Sequence, residues 1–125
     1  MRNILLIDPV STSLMLTKRY LENQGYEVNA CSSASLALDL LLNPKFDLII
    51  SEIDIVGLDG FDLSLILNKY QISVPLLFLT TRDDEGTRTE AQYSGAKGLL
   101  SKQTEYSLLP SKVREILQEK SSMAS

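Results

Sequence analysis

The chain has 125 residues, 44% of them hydrophobic and 22% charged, with a formal net charge of −4. That length suits one globular domain with a real core, and the acidic balance argues against a nucleic-acid-binding surface. With no histidine and a single cysteine, Cys31, there is no Ser-His-Asp or Cys-His machinery, no His-ligated zinc, no phosphohistidine and no internal disulfide.

No apolar run approaches the roughly 20 residues of a membrane span. The N-terminal apolar stretch is too short for a signal peptide and runs into Asp8, so a cytoplasmic domain is expected. Cys31 reads as a small apolar filler at a strand end.

Strand and helix signals alternate along the chain. Ile4–Ile7 is an apolar run ended by Asp8 and Pro9. Ser11 or Thr12 is placed to cap a helix through Leu14, Tyr20 and Leu21, which Gly25 stops. Tyr26–Cys31 reads as a second strand, and Ser33 as the cap of a helix through Leu42 that Asn43 and Pro44 end.

Asp47–Ser51 has no polar alternation, which suggests a strand covered on both faces. It delivers Glu52 to a strand end, before a loop carrying Asp54, Gly57 and Asp59. Both of these aspartates read first as turn formers. Phe61–Tyr70 forms a third helix and Val74–Leu79 a fourth strand that ends in Thr80 and Thr81.

Asp83, Asp84 and Glu85 open a short fourth helix, where its dipole favours acids, and Gly95 closes it. Lys97–Ser101 is a fifth strand ending at Lys102, and Leu108–Lys120 a last helix with Pro110 in its first turn. The expected domain spans residues 1–120, with 121–125 as a frayed tail or the start of a linker.

Five βα units with short connections predict an α/β fold: a single doubly wound, five-stranded parallel sheet with strand order 2-1-3-4-5. No G-x-G-x-x-G follows the first strand, and the first loop has no glycine to cradle a phosphate. Dinucleotide and flavin binding are therefore poor readings. In the predicted topology Asp8, Glu52, Thr80 and Lys102 converge at the carboxyl ends of four strands.

These residues carry a resemblance that covers essentially the whole chain. Leu5–Asp8 followed by Ser11 and Thr12, Leu48–Glu52 followed by Gly57–Gly60, Val74–Thr80 and Ser94–Lys102 together resemble the receiver (CheY-like) domains of two-component response regulators. The resemblance implies a flavodoxin-like (βα)5 fold and a phosphoryl-accepting aspartate at position 52. It also implies an acidic pair for Mg²⁺ after the first strand, a hydroxyl at Thr80, a lysine at Lys102 and an aromatic switch residue on the fifth strand.

The departures fall on those positions. Glu52 replaces the aspartate, Pro9 the second acid, Val56 a loop proline, Leu99 the aromatic and Gln103 the proline after the lysine. Glu52 carries its carboxylate about 1.5 Å further out, and a misplacement of about 1 Å can cost on the order of 10²-fold. Mg²⁺ normally keeps carboxylate help, and the candidates shrink to Asp8 and Glu52.

The expectation is thus a pseudo-receiver: not an enzyme, with no cofactor, weak Mg²⁺ binding at most, and a direct Glu52–Lys102 contact. It would act as a phosphorylation-independent protein-interaction module; in a sharper version Glu52 mimics a phosphorylated aspartate rather than serving only as a structural replacement. Its partner would be a signalling protein or a fused output domain, not nucleic acid. The face built by the fourth helix, fifth strand and fifth helix is the expected interface or homodimer surface, through Tyr93, Leu99, Tyr106, Leu108, Leu109 and Arg114. Two other readings remain: a phosphoryl-accepting switch on Glu52 or Asp54 with Mg²⁺, and a small-ligand sensor whose altered pocket binds a metabolite or anion near Thr80, Thr81 and Lys102.

Overall fold

The structure is a computed structural model that describes residues 1–43 and 45–124. The elements in chain order are β1 (Asn3–Ile7), α1 (Ser11–Glu22), β2 (Glu27–Cys31), α2 (Ala34–Leu41), β3 (Leu48–Ser51), α3 (Gly60–Lys69), β4 (Leu76–Thr80), α4 (Glu85–Tyr93), β5 (Gly98–Ser101), a 3-10 turn (Tyr106–Leu108) and α5 (Leu109–Ala124). All four strand pairings are parallel, in the order β2-β1-β3-β4-β5. The expected topology is the observed one.

Side chains alternate across a strand, yet both faces of this sheet are apolar. Leu5, Ile7, Ile49 and Phe78 pack on one face against Ala37 and Leu41 of α2, Leu63 and Leu67 of α3, and Ala91 of α4. Ile4, Leu6, Leu48, Ile50, Leu77 and Leu79 pack on the other against Leu21 of α1 and Val113, Ile116 and Leu117 of α5. Uninterrupted apolar runs in β1, β3 and β4 follow directly from this two-sided burial. Cys31 is buried, and desolvation raises its thiol above the ordinary value despite a hydrogen bond to the Ser33 carbonyl.

Polar residues close the helix starts. Ser33 Oγ accepts from Leu36 N–H, and Asp84 accepts from Thr87 N–H and from its hydroxyl. The Thr87 bonds lower the Asp84 carboxyl below its usual range. Asp59 and Asp62 form a reciprocal capping box at 2.8 and 3.1 Å, so Asp59 is a helix cap as well as a turn residue.

α1 departs from expectation. Neither Ser11 nor Thr12 caps it; the helix starts at Ser11 behind Val10, which provides no side-chain cap. Asp8 takes the Val10 N–H instead, at 2.9 Å, turning the chain before the helix begins. At the other end of the chain, α5 continues through Ala124, past the expected boundary at 120. Residues 121–124 contain no glycine or proline to stop it.

The end of α3 carries a conformational cost. Ile72 N–H bonds the Leu67 carbonyl at 2.8 Å and Gln71 N–H that of Asn68 at 3.2 Å, the paired bonds of a Schellman motif. Gln71 therefore sits at φ 56°, where α1 and α4 end in Gly25 (φ 95°) and Gly95 (φ 90°). Gln71→Gly is expected to stabilise the fold by about 0.5–1 kcal/mol, the relief of left-handed strain less the added chain entropy. Urea midpoints of the two proteins check this.

Candidate functional site

Four strands end together at one edge of the sheet, and their next residues meet there. Asp8 follows β1, Glu52 follows β3, Thr80 ends β4 and Lys102 follows β5. The Asp8 and Glu52 side chains are 5% and 6% exposed and Lys102 only 13%. Charges this deep must find partners.

Glu52 finds four. Its Oε2 accepts the Thr80 hydroxyl and the Ile53 N–H at 2.7 Å. Its Oε1 accepts the Thr81 N–H at 3.2 Å and lies 3.2 Å from Lys102 Nζ. Lys102 Nζ is 2.7 Å from Asp8 Oδ2, which also accepts the Ser13 hydroxyl at 2.7 Å. Two carboxylates thus share one ammonium, leaving one negative charge that the hydroxyls of Ser13 and Thr80 and the amides of Val10, Ile53 and Thr81 help to disperse.

The four residues expected to converge do so, including the direct Glu52–Lys102 contact. Pro9 stands beside Asp8 and offers no side-chain ligand. Asp54 does not join the cluster: it is exposed and pairs with Arg82 at 3.0 Å. The loop after β3 turns it outward, toward the loop after β4. That hydrogen bond raises the Arg82 guanidinium above its ordinary value, and Arg82 also lies 6.0 Å from the Phe61 ring centre.

The switch positions lie on the paired strands β4 and β5. Thr80 is buried in the cluster, and its hydroxyl also accepts the Arg82 N–H at 3.0 Å. Leu99 pairs in register with Phe78 on β4 and is half-buried against the α3 side of the core. Its isobutyl group offers Thr80 no hydrogen bond.

Of the expected interface, Tyr93, Leu108 and Arg114 are exposed. Leu109 is not available: it is fully buried at the start of α5 among Leu100, Val113 and Ile116. Of two adjacent leucines on a helix start, one must face inward, and it is this one. Tyr106 is drawn to α1, stacking on Tyr20 with centroids 5.5 Å apart and its hydroxyl 3.1 Å from Thr17 Oγ1.

Three participants were not visible in the sequence as site residues. Ser13 bonds Asp8, Arg82 latches Asp54, and Ser101 organises the turn after β5. Ser101 Oγ donates to Asp83 at 2.7 Å and accepts the N–H groups of Gln103 and Thr104 at 3.2 and 3.3 Å. Glu105 accepts the Ser101 N–H at 2.9 Å and pairs with Arg88 at 2.7 Å. The Arg88 hydrogen bond and then the Ser101 N–H lower the Glu105 carboxyl. All described peptide bonds, that between Lys102 and Gln103 among them, are trans.

A five-stranded α/β sheet in this order, with two acids, a threonine and a lysine at its carboxyl edge, defines a two-component receiver architecture. The family profile described as response regulator receiver domain matches residues 4–114, and the chain belongs to that family. The heme response regulator HssR of Staphylococcus epidermidis is 29% identical over 117 residues, 94% of this chain and 52% of HssR.

The alkaline phosphatase synthesis transcriptional regulatory protein PhoP of Bacillus subtilis is 29% identical over 101 residues, 81% of this chain and 42% of PhoP. This chain spans about half the length of such curated relatives. A response regulator receiver domain protein from Clostridium thermocellum superposes with a TM-score of 0.89 at 26% identity, covering 98% of this chain and 99% of that one. Among the described residues, no helix is long and apolar enough to cross a membrane.

Proposed function

We propose that this receiver domain signals without being phosphorylated, as a protein-interaction module in which the Glu52 carboxylate occupies the place of a phosphoryl group. One observation carries this reading. The extended Glu52 side chain already holds the Thr80 hydroxyl, the Thr81 and Ile53 amides and Lys102. These are the hydroxyl, amide and ammonium donors that an anion at this edge would need, and Glu52 already engages them. The two acids beside Lys102 likewise oppose capture of a free anion.

The same geometry supports a pocket without a resident Mg²⁺. The ion needs near-octahedral oxygen ligands, whereas Asp8 is engaged by Lys102, Ser13 and Val10 N–H, Glu52 by four donors, and Pro9 brings nothing. No group of three or more acidic, histidine or cysteine side chains is arranged to hold a metal among the described residues. Lys102 sits where the charges call for a cation. The partner is then a signalling protein, or an output domain in the same polypeptide as in the longer relatives, met through a surface whose state Glu52 fixes.

Amide NMR of Glu52→Gln and Glu52→Asp tests the reading. Aspartate keeps the charge but is about one bond, roughly 1.5 Å, short of the donors. Both variants are therefore expected to shift Ile53, Thr80 and Thr81 and to carry the change to Leu99 and α4. If Glu52→Asp matched the wild type at Thr80 and Leu99, reach would be irrelevant and the mimic would be wrong.

A further inference from the structure

The edge of the sheet opposite Glu52 holds an apolar cleft of about 930 Å³ between the ends of α2 and α3 and the segment leading into β4. Leu38, Leu41, Phe46, Ile66, Ile72 and Val74 form its apolar lining. Volume and lining both suit a small organic molecule, for which sites of roughly 300–1,000 Å³ with a few placed polar groups are usual. In an otherwise acidic chain, the one charged residue among the described residues that line this cleft is a cation, Lys69.

Lys69 makes no ion pair among the described residues, its ammonium resting 5.6 Å from the centre of the Tyr70 ring. Two residues on, Gln71 also lines the cleft. It holds a left-handed conformation that α1 and α4 assign to glycine, so a residue with a side chain is kept beside the cleft at a conformational cost. A cation without an ion pair and a glutamine beside an apolar cleft complement an apolar body with an anionic head, of which a carboxylate is the simplest.

We propose that this cleft binds an amphipathic carboxylate of medium-chain aliphatic type, its head group on Lys69 Nζ and the Gln71 amide and its tail over Leu41, Phe46 and Ile72. The site is independent of Glu52, and its failure would leave the reading of that residue intact.

The test is an amide NMR titration of the full chain with sodium octanoate, with 1-octanol as the neutral probe of equal length. Octanoate is expected to give saturable shifts at Leu41, Ile72 and Val74, with octanol binding more weakly by up to about fivefold, the size of one exposed charge contact. Lys69→Gln should bring octanoate down to the level of octanol and leave octanol unchanged, and Gln71→Gly, on a fold at least as stable, should also weaken octanoate. Absence of saturable shifts would overturn the proposal. So would equal binding of acid and alcohol, shifts centred on Thr80 and Lys102, or a dimer in sedimentation that buries the cleft.

Discussion

Lys102→Met is expected to destabilise the domain by about 3–5 kcal/mol, the cost of removing one partner from a buried ion pair. The loss is large because, among the described residues, Lys102 Nζ is the only cation paired with two nearly buried carboxylates, at 2.7 and 3.2 Å. Without it, Asp8 and Glu52 face each other uncompensated. Glu52→Gln removes a charge from the negative side of the same cluster and leaves a balanced Asp8–Lys102 pair. Its cost should therefore be smaller, about 1–2 kcal/mol for weakened hydrogen bonds. Chemical denaturation of both variants measures the order. Equal costs would mean that the charge count at this edge is not what holds it together.

The second large effect is a gain. Pro9→Asp combined with Glu52→Asp restores the acids that the family resemblance places around the pocket, setting three carboxylates against one ammonium. Each added like-charge contact is unfavourable by about 4 kcal/mol at 4 Å and an effective dielectric of about 20, before screening. The double variant should lose about 2–4 kcal/mol without a divalent cation and regain it in millimolar Mg²⁺, because a ligand that binds only the folded state adds stability by mass action. The parent protein should show no such Mg²⁺ dependence. Thermal unfolding with and without Mg²⁺ reads both, and a double variant indifferent to Mg²⁺ would show that more than the missing acids separates this pocket from a metal site.

Much of this site was legible because strand ends are legible. Uninterrupted apolar runs marked β1, β3 and β4 as doubly covered, and handedness rules left a few strand orders, the commonest of which brings Asp8, Glu52, Thr80 and Lys102 together. What escaped depended on two loops meeting. Asp54 and Arg82 lie 28 residues apart, and no local pattern pairs them. The Leu108–Leu109 ambiguity turned on the phase at which a 3-10 turn passes into α5, which hydrophobicity alone does not set. Ser11 and Thr12 looked like caps by type, but Asp8 satisfied the preceding turn first. The cleft at the far edge was invisible for another reason: its lining reads as ordinary core, and only the left-handed Gln71 and the unpaired Lys69 distinguish it.

The most direct test of the central claim is an amide NMR titration of the wild-type domain with Mg²⁺ and then with beryllofluoride as a phosphoryl mimic. With Glu52 already holding Thr80, Thr81 and Lys102, no saturable shift is expected at Asp8, Glu52, Thr80 or Lys102 in millimolar Mg²⁺, and none on adding beryllofluoride. Saturable shifts at those residues, spreading to Leu99, would show an open and working phosphoryl pocket and contradict the account.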